Sequence, residues 1–378
     1  DTCVFRLEYD DNTEVILCNY VDDLICAVNS PKAKNIREAL LDHIRKQWAV
    51  TDEGPMTRFI GLNFMRGEDG MSWNLSCAPY IDRIGSRFGV DDGRYPETPM
   101  DSGFVITPED LQEEVSDEDK SLYRSLIGSI GFAATTVRYD IAYAVSTLSR
   151  YLMKPNRKVI EAAKRVVRYL LRTKEFKITW SMNANVIDGE RINKLWGAVD
   201  ASFASDPITR RSHSGYVIFN NGGAISWKSG LQKMVTLSSC ESEYIGLCSA
   251  VVEICYLRQL AEELGRKQHE GTVLWEDNKS CIILAEGETS GGGRSKHIDI
   301  KFRFITEKVK SGKVRVRYIP TSWNYADLMT KPLAKVQFAR ILDLCVNPEM
   351  KGMTGAEEEA PKEDKMAYVI VLNSDRWW

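Results

Sequence analysis

The chain has 378 residues, of which 43% are hydrophobic and 27% charged, and its formal net charge is −3. That composition is expected of a soluble globular chain of two or three domains, and it carries no global basic signal for nucleic acid, so any such surface must be local. No apolar run reaches the roughly 18 residues that a membrane span needs, and Asp1 is followed by neither a basic n-region nor an apolar h-region, so neither a span nor a signal peptide is expected.

The nine cysteines include no C-x-x-C pair and are odd in number. Most lie in apolar runs, where Cys serves as a small hydrophobe, so a reduced intracellular setting is expected and a zinc cage is not. The chain has no initiator Met at its start, which reads as a cut through a longer polypeptide.

Residues 13–19 and 24–28 are β-branched and apolar around "YVDD", which predicts a hairpin with Asp22 and Asp23 at or near its turn. "PKAKNIREALLDHIRKQW" has helical spacing, with Ile36, Leu40, Leu41 and Ile44 on one face. "RFIGLNFMRGEDGMSWNLS" predicts a second hairpin turning at Glu68, Asp69 and Gly70. Residues 101–120 are acidic and interrupted by Pro108, as a surface connection would be. From Ser121 to Lys174 the spacing is helical. Its last part, "RKVIEAAKRVVRYLLRTK", is an amphipathic helix with a basic face of Lys164, Arg165, Arg168 and Arg172.

A different rhythm begins near Ile192. "KLWGAVDASF" reads as a strand, and "GYVIFNNGGAISWKS" as two strands joined at Asn221-Gly222. A long helix follows in "SSCESEYIGLCSAVVEICYLRQLAEELG", then a strand in "TVLWEDN" and a helix in "KSCIILAEG". A Gly-rich loop leads into the helix of "RSKHIDIKFRFITEKVKSG", then a strand in "KVRVRYIP" and a final helix in "YADLMTKPLAKVQFARIL". The order βββαβααβα predicts a mixed sheet covered by helices. Trp180, Trp196, Trp227 and Trp275 are expected in the core. After Asn347, "GAEEEAPKEDK" reads as a disordered linker.

Four acids fall where these later elements begin or end: Asp200, Glu243, Asp277 and Asp327. Converging carboxylates form the ligand set for hard, oxygen-seeking Mg²⁺, and two such ions can activate water and stabilise a phosphodiester's leaving oxygen. Glu241 and Glu243 compete for one place, because residues two apart on a helix do not face the same way. Ser238 and Glu241 fit a capping box, which leaves Glu243 as the ligand candidate.

These blocks resemble the ribonuclease H domain of copia-type retrotransposon polyproteins: "VDASFASDPITRRSHSGYVIF", "AISWKSGLQKMVTLSSCESEYIGL", "EDNKSCIILAEG", "RSKHIDIKFRFITEKVKSG" and "YADLMTKPL". Upstream, "YVDDLI", "FIGLNF", "YRSLIGSIGFAATTVRYDIAYAVSTLSRYLMKP" and "AAKRVVRYLLRT" resemble the reverse transcriptase of the same elements. The resemblance implies an α/β (α+β) architecture in four parts. Residues 1–100 would be the C-terminal part of a reverse transcriptase palm, and 101–190 a helical thumb or connection. Residues 191–345 would be a ribonuclease H-like domain with a mixed five-stranded sheet and flanking helices, and 346–378 an acidic, disordered linker and tail.

It further implies that Asp200, Glu243, Asp277 and Asp327 bind two Mg²⁺ ions, with Mn²⁺ as an alternative, and hydrolyse the RNA strand of an RNA–DNA hybrid to leave a 3′-hydroxyl. Asn278 would hydrogen-bond the RNA, recognised through its 2′-hydroxyls. Ribonucleases H often carry a flexible His shortly before the last Asp, whereas the loop here is "PTSWNYAD". Asp22 and Asp23 match the polymerase's Y-x-D-D motif, but the motif begins 19 residues into the chain and the family's third Asp is not among those residues, so no polymerase activity is expected of this chain alone. Other Pol products, among them the preceding reverse transcriptase part, are implied partners, without a membrane. The implied location is intracellular, in a cytoplasmic particle or the nucleus.

Structural alternatives stand beside these roles. Asp22 and Asp23 fit solvated turn residues, and Arg210 and Arg211 fit either phosphate contacts or a solvated loop. Lys164, Arg165 and Arg168 fit either a solvated helix face or a track for the hybrid backbone. His297 fits packing or a hybrid contact, and Asp299 a fifth acid or a surface charge. A degenerate or host-retained fragment that binds nucleic acid without cutting it is the alternative to a nuclease.

Overall fold

The computed structural model describes every residue except 1, 10, 11, 31, 91, 182–193, 288–295, 347–365 and 373–378, and describes only the backbone of 296–299 and 366–372. The chain divides into two units, residues 1–65 with 259–267 and 354–378, and residues 66–258 with 268–353.

In the first unit, β1 (Val4–Glu8), β2 (Glu14–Tyr20) and β3 (Asp23–Val28) form a meander, and β4 (Val50–Pro55) follows α1 (Ala33–Arg45). Val15, Cys26 and Val28 on the sheet are buried with Ala33 and Leu41 of α1, so the helix packs by the apolar face its spacing predicts. Residues 366–372, expected within a disordered tail, instead form β14 (Met366–Leu372). This strand lies between β3 and β4 and runs antiparallel to both. Its "MAYVIVL" run has the β-branched character of a strand, which outweighs the polar linker before it.

The hairpin with the acidic pair forms as expected. Tyr20 pairs with Asp23 across a two-residue turn of Val21 and Asp22. Val21 takes φ 55°, a left-handed conformation costly for a β-branched side chain. After β5 (Arg58–Phe59) and β6 (Leu62–Arg66), the predicted second turn is built on Asp69, whose Oδ1 accepts from Met71 N, Ser72 N and Ser72 Oγ.

The second unit begins with β7 (Ser72–Ser76) and a helical layer: α2 (Ala78–Phe88), α3 (Asp117–Thr136), α4 (Ala142–Ser149) and α5 (Arg157–Arg172). Ser116 and Asn156 cap α3 and α5 by accepting from Asp119 N and Val159 N. Between these helices lies a fully buried ion pair. Arg138 binds both carboxylate oxygens of Asp140, at 2.9 and 2.7 Å. β8 (Lys177–Ser181) pairs with β7.

The sheet of this unit comprises β9 (Trp196–Ser202), β10 (His213–Asn220), β11 (Gly223–Leu231), β12 (Thr272–Glu276) and β13 (Val314–Tyr318), in the order β11-β10-β9-β12-β13. β9, β10 and β11 are antiparallel, and β12 runs parallel to both β9 and β13. With its flanking helices this is the mixed five-stranded sheet expected from the sequence. α6 (Ser239–Glu263) has the length and mean hydropathy, 1.2, of a membrane span. Its Tyr244, Leu247, Ala250, Val251 and Ile254 are buried in the core with Val199, Ile218 and Leu274 of the sheet. α7 (Lys279–Glu286) and α8 (Lys296–Lys310) cover the β12–β13 side.

The single final helix expected from Tyr325 onward is two, α9 (Asp327–Thr330) and α10 (Lys335–Val346). Pro332 accounts for the break, because the residue before a proline is driven out of the helical region. Lys331 accordingly takes φ −139°, ψ 146°. Of the four tryptophans assigned to the core, Trp196 is buried and stacks on Phe219, while Trp180, Trp227 and Trp275 are half-buried.

Candidate active site

Strand pairing brings the first two acids together. β9 and β12 are parallel neighbours, and Trp275 pairs with Ala198. Two residues further along each strand stand Asp200 and Asp277, at the same edge of the sheet where parallel strands end. This is where open α/β sheets place ligands.

Two glycines admit the other elements. A Cβ on Gly215, the cross-strand partner of Asp200, would lie 2.3 Å from Met329 Cβ, so glycine is required for α9 to pack against β10. α6 also packs closely at Gly246, where a Cβ would lie 3.3 Å from Ser214 Cβ and 3.5 Å from Asp200 O. Glu243, one turn before Gly246, therefore points at the cluster. One carboxylate oxygen from each of Asp200, Glu243 and Asp277 lies within 4.8 Å of the other two.

Glu241 takes the other role. Ser238 Oγ accepts from Glu241 N at 3.1 Å, and Glu241 Oε2 accepts from Leu237 N at 2.7 Å. The reciprocal bond thus reaches one residue before the N-cap rather than Ser238 itself.

Asp327 joins through a cation. Lys331 Nζ lies 2.6 Å from Asp327 Oδ1 and 3.2 Å from Asp200 Oδ2. Gln337 Nε2 donates to Asp327 Oδ2 at 3.1 Å, and the Thr330 hydroxyl donates to Asp200 Oδ2. Asn324, fully buried in the preceding loop, donates to Val199 O.

Asp200, Glu243 and Asp327 are buried and Asp277 is half-buried, so acid packs against acid with little solvent between. Burial, then the neighbouring Glu276, Asp200 and Asp277, push the Glu243 carboxyl up to about 11. Burial, then Asp200, push Asp327 up to about 6. Burial raises Asp200, against the pull of Lys331 and the Thr330 hydrogen bond. Among the described residues, Glu243 Oε2 has no hydrogen-bond partner. A buried carboxyl group with an orphaned oxygen is costly unless something else satisfies it.

Glu276, Thr330, Lys331 and Gln337 were not singled out by sequence reasoning. Glu276 is fully buried and accepts from Asn278 N through Oε1. Lys331 was legible in principle, since it stands four residues after Asp327, the spacing of a helical acid–base pair.

The other nucleic-acid candidates fare differently. Asn278 is the N-cap of α7, with Oδ1 accepting from Cys281 N at 3.1 Å. Arg210, exposed and at φ 53°, and Arg211, half-buried, lie in the turn between β9 and β10. The basic face of α5 is paired with the chain's own acids: Lys164 with Glu161, Arg165 with Asp101, Arg168 with Asp92 and Arg172 with Glu97. A hybrid backbone would have to displace them. His297 and Asp299 lie on α8, but their side chains fall outside the described residues, as do Trp377 and Trp378. Asp22 and Asp23 are separate from the cluster in sequence, and among the described residues no third metal-ligating side chain gathers with them.

No protein-family model matches the chain. It is 32% identical over 356 residues, 93% of its length, to the retrovirus-related Pol polyprotein from transposon TNT 1-94 of Nicotiana tabacum. It is 30% identical over 338 residues to that from transposon RE1 of Arabidopsis thaliana. It is 25% identical over 344 residues to the transposon Ty1-DR5 Gag-Pol polyprotein of Saccharomyces cerevisiae. The chain belongs with the Pol polyproteins of copia-type retrotransposons. It spans 25%, 22% and 19% of the length of these three relatives. Among solved structures, LC11-RNase H1 from compost matches 40% of this Pol segment and 99% of its own chain, at 17% identity and TM-score 0.29. The same enzyme in complex with an RNA/DNA hybrid matches at 14% identity and TM-score 0.27, covering 36% of this chain and 94% of its own.

Proposed function

We propose that this Pol segment is a ribonuclease H-type nuclease that hydrolyses the RNA strand of RNA–DNA hybrids, using two Mg²⁺ ions or Mn²⁺ in their place. The observation that carries this reading is the convergence of Asp200, Glu243 and Asp277 within 4.8 Å, with a buried Glu243 oxygen that has no hydrogen-bond partner among the described residues. The donors are all carboxylate oxygens, the set that suits a hard divalent cation. Asp200, Glu243, Asp277 and Asp327 would hold the ions.

Bound there, the ions would supply an activated water and neutralise charge on the leaving 3′-oxygen. The protein's own part is to hold the ligands. The Thr330 hydroxyl fixes the Asp200 carboxylate, Gln337 fixes Asp327, and the Gly215 and Gly246 contacts set α9 and α6 against the sheet edge. Asn278 Oδ1 is spent on capping α7, which leaves its amide nitrogen to meet RNA. Arg210 and Arg211 would meet phosphate, as would Lys164, Arg165 and Arg168 once released from their acid partners.

The division at residues 100, 190 and 345 belongs to the same proposal, except that Met366–Leu372 of the last part is a strand of the first part's sheet, with Asp22 and Asp23 as the remnant of a polymerase site that does not act in this chain alone. Completing it would need the preceding reverse transcriptase part, in an intracellular particle or the nucleus.

The test is a labelled RNA–DNA hybrid in Mg²⁺, with single-stranded RNA and duplex DNA as controls. The parent is expected to cut only the hybrid's RNA and leave 3′-hydroxyl ends, and Asp277→Asn to abolish cutting while still binding. Binding by both without cleavage would overturn the nuclease reading in favour of a degenerate, host-retained binding fragment.

A further inference from the structure

The ammonium of Lys331 already sits among the carboxylates. Its backbone is set by Pro332, which holds Lys331 extended at the end of α9, and Lys331 N donates to Asp327 O at 3.1 Å. From there the side chain turns back onto Asp327 Oδ1 at 2.6 Å and reaches both oxygens of Asp200, at 3.3 and 3.2 Å. These contacts account for the donors that an ammonium offers.

The acid cluster is therefore divided. The Asp200–Asp327 half carries a resident positive charge. Among the described residues no ion pair reaches the Glu243–Asp277 half, where Lys331 acts on Glu243 only as a minor influence, and Glu243 Oε2 there has no hydrogen-bond partner. Two divalent ions and one ammonium cannot all share Asp200 and Asp327 at contact distance, because like charges in a partly buried site repel strongly. The side chain of Lys331 is 30% exposed, so it has a route outward.

We propose that Lys331 is a built-in counter-ion that holds the Asp200–Asp327 half of the site and is displaced on metal binding, so that the two halves fill in order. This rests on the metal-dependent reading above. The open half takes the first ion with Lys331 in place. The second enters only as the ammonium swings away. Lys331 is thus a positioning residue: it keeps Asp327 and Asp200 in place before metal arrives and sets the metal concentration at which the site is complete.

The experiment is metal titration of the whole chain without nucleic acid. In the parent, lysine labelled with ¹⁵N at Nζ is followed by NMR as Mg²⁺ is added, and Lys331→Arg assigns the signal by its loss. The Lys331 signal is expected to shift in the second of two binding steps. Calorimetry should show the weaker step tightened roughly tenfold or more in Lys331→Met, as removal of an ion-pair competitor requires, and close to the parent in Lys331→Arg. In EDTA, Lys331→Met should melt below the parent, and Mg²⁺ should restore it.

A Lys331 signal that stays fixed through saturation with Mg²⁺ would overturn the proposal, whether or not Lys331→Met folds. So would an unchanged weaker step in a folded Lys331→Met. Mg²⁺ binding with a static Lys331 leaves the nuclease reading standing, whereas no Mg²⁺ binding by the parent removes both.

Discussion

Asn324 donates its side-chain amide to the carbonyl of Val199, 2.9 Å away and 125 residues earlier in the chain. Val199 precedes Asp200, and Asn324 stands three residues before Asp327, so one hydrogen bond clasps the two ends of the acid cluster. The same side chain accepts from Ala326 N at 3.0 Å, which shapes the turn into α9. Asn324→Ala would leave Val199 O and Ala326 N unsatisfied in the interior, a loss of about 1–3 kcal/mol per buried group. Urea unfolding should show that loss, and hybrid cleavage at saturating Mg²⁺ should fall by more than tenfold in the fraction that remains folded. Cleavage at the parent rate by folded Asn324→Ala would show that the clasp does not position Asp327.

The acids were legible in the sequence, but the groups that hold them were not. Asp200, Asp277 and Glu243 lie at element boundaries that periodicity and capping reveal. Ser238 and Glu241 separated the structural acid from the buried one. Asn221-Gly222 announced its hairpin because both residues take positive φ, 49° and 82°. In contrast, the Asn324 clasp and the Lys331 ion pair to Asp200 span more than a hundred residues, and no local pattern encodes them. β14 was missed for a related reason. A seven-residue apolar run after an acidic linker is no different from a tail until β3 and β4 are seen to leave a place for it.

Arg138 and Asp140 are both fully buried, with Arg138 Nη2 also 2.6 Å from Thr173 Oγ1 and the Tyr169 hydroxyl 2.6 Å from Asp140 Oδ2. The pair ties the end of α3 to α5. Burial is the largest single effect on Arg138 and works against its charge, but the attraction and hydrogen bonds of Asp140, with smaller help from Tyr169 and Cys77, together outweigh it and hold the guanidinium above its ordinary value. Arg138→Met would strand the Asp140 carboxylate in the interior, with an expected loss of about 3–5 kcal/mol. Replacing both partners, as in Arg138→Met with Asp140→Leu, should recover a good part of that loss, because no charge is left without its partner. Chemical denaturation of the two single variants and the double variant measures the difference. Equal losses in the single and double variants would mean that the pair itself, rather than the stranded charge, carries the stability.

His213 gives the fold a dependence on pH. The ring is buried, 4.9 Å from Tyr143, and its Nε2 lies 2.8 Å from Ser229 Oγ, which donates to Met329 O at 2.6 Å. Because the single Ser229 proton goes to Met329, His213 must donate from Nε2, and the neutral tautomer satisfies the contact. Burial, then Arg150, hold the imidazole at about 3, below its usual 6.5, against the opposite pull of Asp206. A folded-state value below the unfolded one means that the unfolded chain binds more protons. The contribution of His213 is therefore fully present above pH 6.5 and is lost as pH falls toward 3, by about 1.4 kcal/mol per pH unit. The raised Glu243 carboxyl tilts the metal-free curve the other way, favouring the fold below 4.5 and losing that contribution as pH rises toward 11. The informative quantity is thus the difference between the parent and His213→Gln, which keeps a donor for Ser229 without the titration. Between pH 7.5 and 5 the parent should lose about 2 kcal/mol more than the variant in urea unfolding. Parallel curves would show that His213 is not held neutral in the folded chain.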